Sequence, residues 1–395
     1  MQDTPVPPFF AALTAAERAQ LFTDAHLRTL PGALAAIPDP RKRRGQRYDL
    51  PFLLTCLVAA LLCDCNSLEA VGRWTRDQQA LLARVCGRRR HCTPTGSLYR
   101  RLLPRLSVAH VERALGSWVQ QTRPVRDREP LSFDGKTVRG ARTAAQAAPH
   151  LLSVSTHTTH ETLVHVRVDD KTNEIPVAQQ LLPHLALRGR VVTADALHTQ
   201  TALAQLLLDQ GAAYLFTVKD NQPRLHAELA AYFADPHATA RSAQTIDRRR
   251  GRTETRTLAA STRLNAYLRA YFPFPGIAQI IRLIRTVQEH GTTRTEIVYL
   301  LTSLSPRQAT PERLLVLIRG HWSVESRHWL RDVTFGEDRS RLRSGAAPQI
   351  MAAVRNLVLT LIRRTGTTQI AAYRQHLRSR PATALRFLVP KTRSA

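Results

Sequence analysis

Lysine is nearly missing from this sequence. Five of the 57 basic residues are Lys, at positions 42, 136, 171, 219 and 391, and the rest are Arg. Acidic residues are also few, 30 Asp and Glu, which leaves a formal net charge of +27 over 395 residues. Such an excess repels itself in a compact chain and is relieved by a polyanionic partner. A guanidinium grips phosphate through a planar fork, whereas an ammonium is a point charge, so the Arg bias favours nucleic acid over a merely charged membrane surface. A GC-rich coding sequence also favours Arg over Lys, but it leaves the net charge unexplained.

Cysteine is sparse and confined to the first quarter, at Cys56, Cys63, Cys65, Cys86 and Cys92. An odd number, with no secretory signal in "MQDTPVPPFFAALTAAERAQ", implies reduced thiols and a cytoplasmic location. A zinc site from Cys63, Cys65, Cys86, His91 and Cys92 would lack the paired C-x2-C spacing of structural zinc modules. Long apolar runs are missing as well. The longest, Leu50 to Cys63, is interrupted by Pro51 and Thr55 and falls short of the roughly 20 residues of a membrane span. It reads as a buried helix. No internal repeat or low-complexity tract occurs, and a 43% hydrophobic content is that of a globular chain with two or three packed units.

Four textures follow one another. Residues 1–125 read as a helical N-terminal domain, in which two short helices near Arg100 and Arg101 are candidates for a DNA-contacting helix-turn-helix. Residues 126–240 give "LSFDG", "HLLSVSTHT" and "ETLVHVRVD" as strands, then alternating helices and strands in the order β-β-β-α-β-α-β-α. That order predicts a mixed α/β sheet with helices on both faces. Residues 241–305 read as a strand-rich insertion with a hairpin tip at Gly291. Residues 306–395 return to helices.

In so basic a chain the acids at strand ends stand out. Asp134 lies at the end of the first strand of the sheet and Asp195 at the end of the fourth. The meander runs outward from the first strand and the crossover returns to its other edge, so the two ends are neighbours. Two adjacent carboxylates repel unless a cation lies between them, and hard oxygen ligands suit Mg²⁺ or Mn²⁺. A third ligand is expected from a later helix in "RGHWSVESRHWLRDV". Helical angles place Glu325 at the edge of an apolar stripe beside Trp322 and Trp329, with Arg327 and Arg331 near the opposite side. His321, Glu325 and His328 share one face, which leaves a zinc enzyme as a rival reading.

The blocks "SFDGKTVRGA", "VVTADALHTQ", "YLFTVKDNQP" and "RGHWSVESRHWLRDVTFGEDRSRLRSG", preceded by "DPRKRRGQRYDLPFLLTCLVAALLCDCNSLEAVGRW", resemble the DDE transposases of bacterial insertion sequences, in the H-repeat-associated branch with its associated N-terminal domain. The resemblance implies a ribonuclease-H-like core with Asp134, Asp195 and Glu325 as the acidic triad, and a strand-rich insertion before the Glu. Where the wider superfamily often carries Tyr, Arg and Lys around the Glu, this chain has Ile318, His321 and Asp332.

The activity so implied is metal-dependent phosphoryl transfer: two Mg²⁺ or Mn²⁺ ions at the triad, strand cleavage at the element ends, and strand transfer into target DNA. Lys136, Arg139, Lys219 and Asn221, with Arg319, His321 and His328, are the expected DNA contacts. Holding two element ends together implies a homodimer on duplex DNA, nucleoid-associated when bound. A repurposed DNA-binding protein without catalysis is the other alternative.

Overall fold

The computed structural model describes residues 29–85, 93–122, 128–143, 147–168, 174–182, 185–249, 251–272 and 274–389. After α1 (Leu30–Leu34), α2 (Leu50–Leu62) buries twelve of its thirteen residues. A helix apolar on every side belongs inside a bundle. Around it lie α3 (Leu68–Asp77), α4 (Gln79–Val85), α5 (Gly96–Leu102) and α6 (Val108–Gln121). Ser67 and Thr95 cap α3 and α5, their hydroxyl oxygens accepting from Ala70 N at 3.1 Å and Leu98 N at 3.4 Å. Arg100 of α5 is paired with Glu69 of α3. The basic loop before α5, with Cys86, His91 and Cys92, lies outside the described residues. Cys63 is buried, and burial, reinforced by Cys65, pushes its thiol up to about 12.

The strands are β1 (Leu131–Thr137), β2 (His150–Thr156), β3 (Thr162–Val168), β4 (Val191–Ala194) and β5 (Ala213–Val218). Four longer or edge strands follow: β6 (Arg241–Arg249), β7 (Arg252–Ser261), β8 (Gln279–Glu289) and β9 (Thr292–Thr302). They form one nine-stranded sheet in the order β3-β2-β1-β4-β5-β9-β8-β7-β6. β1 runs antiparallel to β2 and parallel to β4, the mixed sheet with first and fourth strands adjacent that the element order predicts. The insertion continues the same sheet, because β9 pairs antiparallel with β5. His290 and Gly291, both at positive φ (49° and 74°), make the expected hairpin turn between β8 and β9.

One face of the sheet is covered by α7 (Glu174–Leu181), α8 (Thr201–Asp209), α9 (Pro223–Ala234) and α10 (Asn265–Tyr271). On the other lies α11 (Pro311–Trp329), which packs Leu314, Leu315, Leu317 and Ile318 against β7, β8 and β9 and continues as one π-helical turn, Leu330–Thr334. The chain ends in α12 (Ala347–Arg363), α13 (Ile370–Ser379) and α14 (Pro381–Leu388). These three share a single hydrophobic core with α1 to α6, so the first and last described helices fold as one unit against the sheet. No helix among the described residues is long and apolar enough to cross a membrane.

Candidate active site

The parallel pairing of β1 and β4 ends at Phe133 opposite Ala194, so Asp134 and Asp195 are the next residue on each strand. Leu131, Phe133, Val192 and Ala194 enter the core beneath α7 to α10. Alternation therefore turns Ser132, Asp134 and Lys136 of β1, and Thr193 and the still extended Asp195 beyond β4, toward the face carrying α11. Adjacent strands lie about 4.8 Å apart, which brings both carboxylates to one corner of the sheet. β1 runs on to Thr137 against β2, so Asp134 stands inside a strand rather than in the turn that Asp-Gly predicts.

α11 crosses this corner through two histidines. His321 Nδ1 lies 3.0 Å from Thr193 Oγ1, which is also 2.9 Å from His157 Nε2. Two turns further along, His328 Nε2 stands 3.1 Å from Asp134 Oδ2. Burial, with Lys136, Arg327 and Arg331 nearby, pushes His328 down to about 2, so it meets Asp134 as a neutral ring and not as an ion-pair partner. His321, lowered to about 4 by burial and by His198, is neutral too. Glu325 lies on the same helical stripe between the two histidines and is exposed to solvent.

This differs from the helical-wheel reading. Trp322 is half-buried, with Arg285 stacked over its ring at 5.5 Å, but Trp329 is 58% exposed, and Arg327 and Arg331 are 4% and 3% exposed. A wheel treats Arg as an outward marker; here each guanidinium has a carboxylate to face. Arg331 pairs with Glu337 at 2.6 Å. Arg327 is lowered by burial to about 9, with Asp134 opposing the shift, and so stays charged at neutral pH.

Gly320 makes the close approach of α11 possible. A Cβ there would stand 2.2 Å from Nδ1 and 2.7 Å from Cγ of the buried His157 ring. Gly320→Val is expected to destabilise the fold by at least about 1–3 kcal/mol and to break the His157–Thr193–His321 chain. Urea unfolding checks this, and a midpoint equal to that of the wild type would show that the helix does not need the glycine.

The expected phosphate contacts divide into two groups. Lys219, Asn221 and Arg139 are exposed, with Asn221 Nδ2 donating to Ala196 O at 2.5 Å beside Asp195. Arg319 is 43% exposed and pairs with Asp247 at 3.2 Å. Lys136, by contrast, is 8% exposed, its ammonium 2.7 Å from Asp332 Oδ2, and the two histidines face protein groups. These three serve the site from behind, because β1 alternation and the α11 stripe turn them inward. The Asp332 partner was unforeseeable from spacing, since the pair spans 196 residues.

The donor set is hard: two carboxylates at one corner and a third on the helix that crosses it. Asp195 Oδ1 is buried, takes no hydrogen bond among the described residues, and has His198 Nε2 at 3.9 Å. An oxygen so placed fits a divalent cation. Among the described residues, no three His, Cys, Asp or Glu side chains stand together at ion-holding distance, so neither the His321–Glu325–His328 face nor the acidic triad is closed as it stands.

Residues 126–361 match the transposase DDE domain, and residues 32–119 match the domain associated with it. The chain belongs to the DDE transposase family. YncI of Escherichia coli O157:H7 is 26% identical over 345 residues, which cover 85% of this chain and 88% of that one. The H repeat-associated YhhI of Escherichia coli strain K12 is 24% identical over 354 residues, or 85% and 90% of the two chains. Among solved structures, a piggyBac transposase synaptic complex with hairpin DNA overlaps 94% of the chain and 81% of its own, at 12% identity and a TM-score of 0.44. Members of this family generally use a divalent metal ion.

Proposed function

We propose that this chain is an insertion-sequence transposase that cuts DNA at the ends of its element and joins the freed 3′-OH to target DNA. The observation that carries the reading is the placement of Asp134 and Asp195 one residue beyond the last β1–β4 pair, under the stripe of α11 that bears Glu325. Asp134, Asp195 and Glu325 would hold two Mg²⁺ or Mn²⁺ ions, which supply activation of the attacking water and stabilisation of the leaving 3′ oxygen. His328 stands against the Asp134 carboxylate from behind, and His321 fixes α11 over β4 through Thr193. Lys219, Asn221 and Arg139, exposed at the same end of the sheet, hold phosphates, and a dimer brings two element ends together.

Incubating the purified chain with duplexes carrying the inverted repeats that flank its coding region tests this. Mg²⁺-dependent nicks leaving 3′-OH ends, stopped by EDTA and untouched by a zinc-selective chelator, are the expected result. Tight binding without cleavage in Mg²⁺ or Mn²⁺ would instead favour a repurposed DNA-binding protein.

A further inference from the structure

We propose that the cleft between the α3–α5 end of the helical unit and the segment joining α11 to α12 is a track for the phosphate backbone of duplex DNA leading to the candidate active site. The proposal rests on the transposase reading and adds a surface to it. Three arginines, Arg339, Arg341 and Arg343, follow one another at two-residue intervals along this non-helical segment, and all are exposed. Arg331, Arg355 and Arg374, in the same part of the molecule, are each held by a carboxylate. Among the described residues the exposed three have none, and Arg343 Nε donates only to Gly140 O, at 3.3 Å.

The arginines line a cleft of about 670 Å³ whose far wall includes Asn66, Arg100 and the first turn of α3. Glu69 also lines it, but Arg100 occupies that carboxylate. The N-terminal end of a ten-residue helix adds positive potential to that wall. Three exposed arginines along one wall offer more cations than one small anion requires and suit a run of phosphates.

The track joins the catalytic corner directly. Gly140 sits in the turn that follows β1, and a Cβ there would lie 2.7 to 2.8 Å from the carbonyl oxygens of Glu337, Asp338 and Ser340. Only glycine lets the turn and the segment touch, and that contact places the exposed Arg139 beside the arginine row. The segment is also anchored before DNA arrives, by Lys136 on Asp332 and by Arg331 and Arg355 on Glu337. Pre-ordered cations bind with less entropy to lose.

The test compares the full chain with Arg339→Gln/Arg341→Gln/Arg343→Gln for binding to a duplex of about 30 base pairs, by fluorescence anisotropy across a NaCl series. The slope of log affinity against log salt is expected to flatten by about 2 to 3, and affinity at about 0.1 M salt to fall on the order of 10²-fold. Arg263→Gln/Arg307→Gln/Arg313→Gln removes the same charge elsewhere and is expected to change the slope far less. An equal loss in both triples, or a wild-type slope in the first, overturns the track. So does loss of binding to a single-stranded RNA with duplex binding kept. If the first triple folds poorly, Arg339→Gln/Arg341→Gln keeps the Arg343 bond and is expected to flatten the slope by about 2. Mg²⁺-dependent cleavage with an unchanged slope in the variant would sink the track alone, whereas a wild-type chain that binds no duplex would sink the transposase reading with it.

Discussion

Asp195→Asn is expected to lower Mg²⁺-dependent DNA cleavage by roughly 10²- to 10³-fold or more while leaving fold and DNA affinity in place. The side chain is 49% exposed, and its buried Oδ1 takes no hydrogen bond among the described residues, so an isosteric amide breaks no hydrogen bond there and disturbs only the 3.9 Å approach of His198 Nε2. What is lost is a negative charge at the corner where a phosphodiester would be cut. Removing that charge also lessens repulsion of the DNA backbone, so affinity is expected to hold or rise. Asp134→Asn is a less clean experiment, because the Asp134 charge also supports the buried Arg327 guanidinium. The measurement is single-turnover cleavage of a terminal-repeat duplex beside a thermal melt. Wild-type cutting by the Asp195→Asn protein would remove the aspartate from the active site; lost cutting with a collapsed melt would make it structural.

Glu337→Gln is expected to cost about 3–5 kcal/mol of stability, a large part of the roughly 5–15 kcal/mol that holds a typical domain together. Glu337 is wholly buried and takes Arg331 Nη2 at 2.6 Å on one oxygen, and Arg331 Nε and Arg355 Nη1, each at 3.2 Å, on the other. The amide would take from two buried guanidinium groups the carboxylate that both pair with. The same carboxylate fixes a pH limb. Burial by itself would raise its pKa, but Arg331 and Arg355 outweigh burial and hold it below its ordinary 4.5. A lowered folded pKa means that the carboxylate's contribution is complete above the unfolded value and is lost as pH falls through the folded one. Urea midpoints are therefore expected to drop more steeply below about pH 4.5 in the wild type than in Glu337→Gln. Parallel acid limbs in the two proteins would show that Glu337 does not control the transition.

Much of this was legible because it rests on local pattern. Alternation in "HLLSVSTHT" and "ETLVHVRVD", the apolar run of α2 and the turn at Gly291 depend on residues a few positions apart, and the structure has each element there. Element order then fixed which strands are neighbours, and with them the meeting of Asp134 and Asp195. The orientation of α11 was not legible in the same way. Periodicity reads polarity, and it marks Arg327 and Arg331 as outward residues when both are buried. Their burial depends on Asp134 and Glu337, whose proximity is created by the fold.

The sequence by itself determined the mixed sheet, the corner where two aspartates sit, and a charge that calls for a polyanion. Tertiary structure alone decided that Lys136 is spent on Asp332, that His321 and His328 face Thr193 and Asp134, and that the first and last described helices share one core. Local elements follow from short-range sterics and hydrophobic period, which a sequence displays. Pairings between charges and rings up to hundreds of residues apart follow from packing and desolvation, which exist only once the chain is closed.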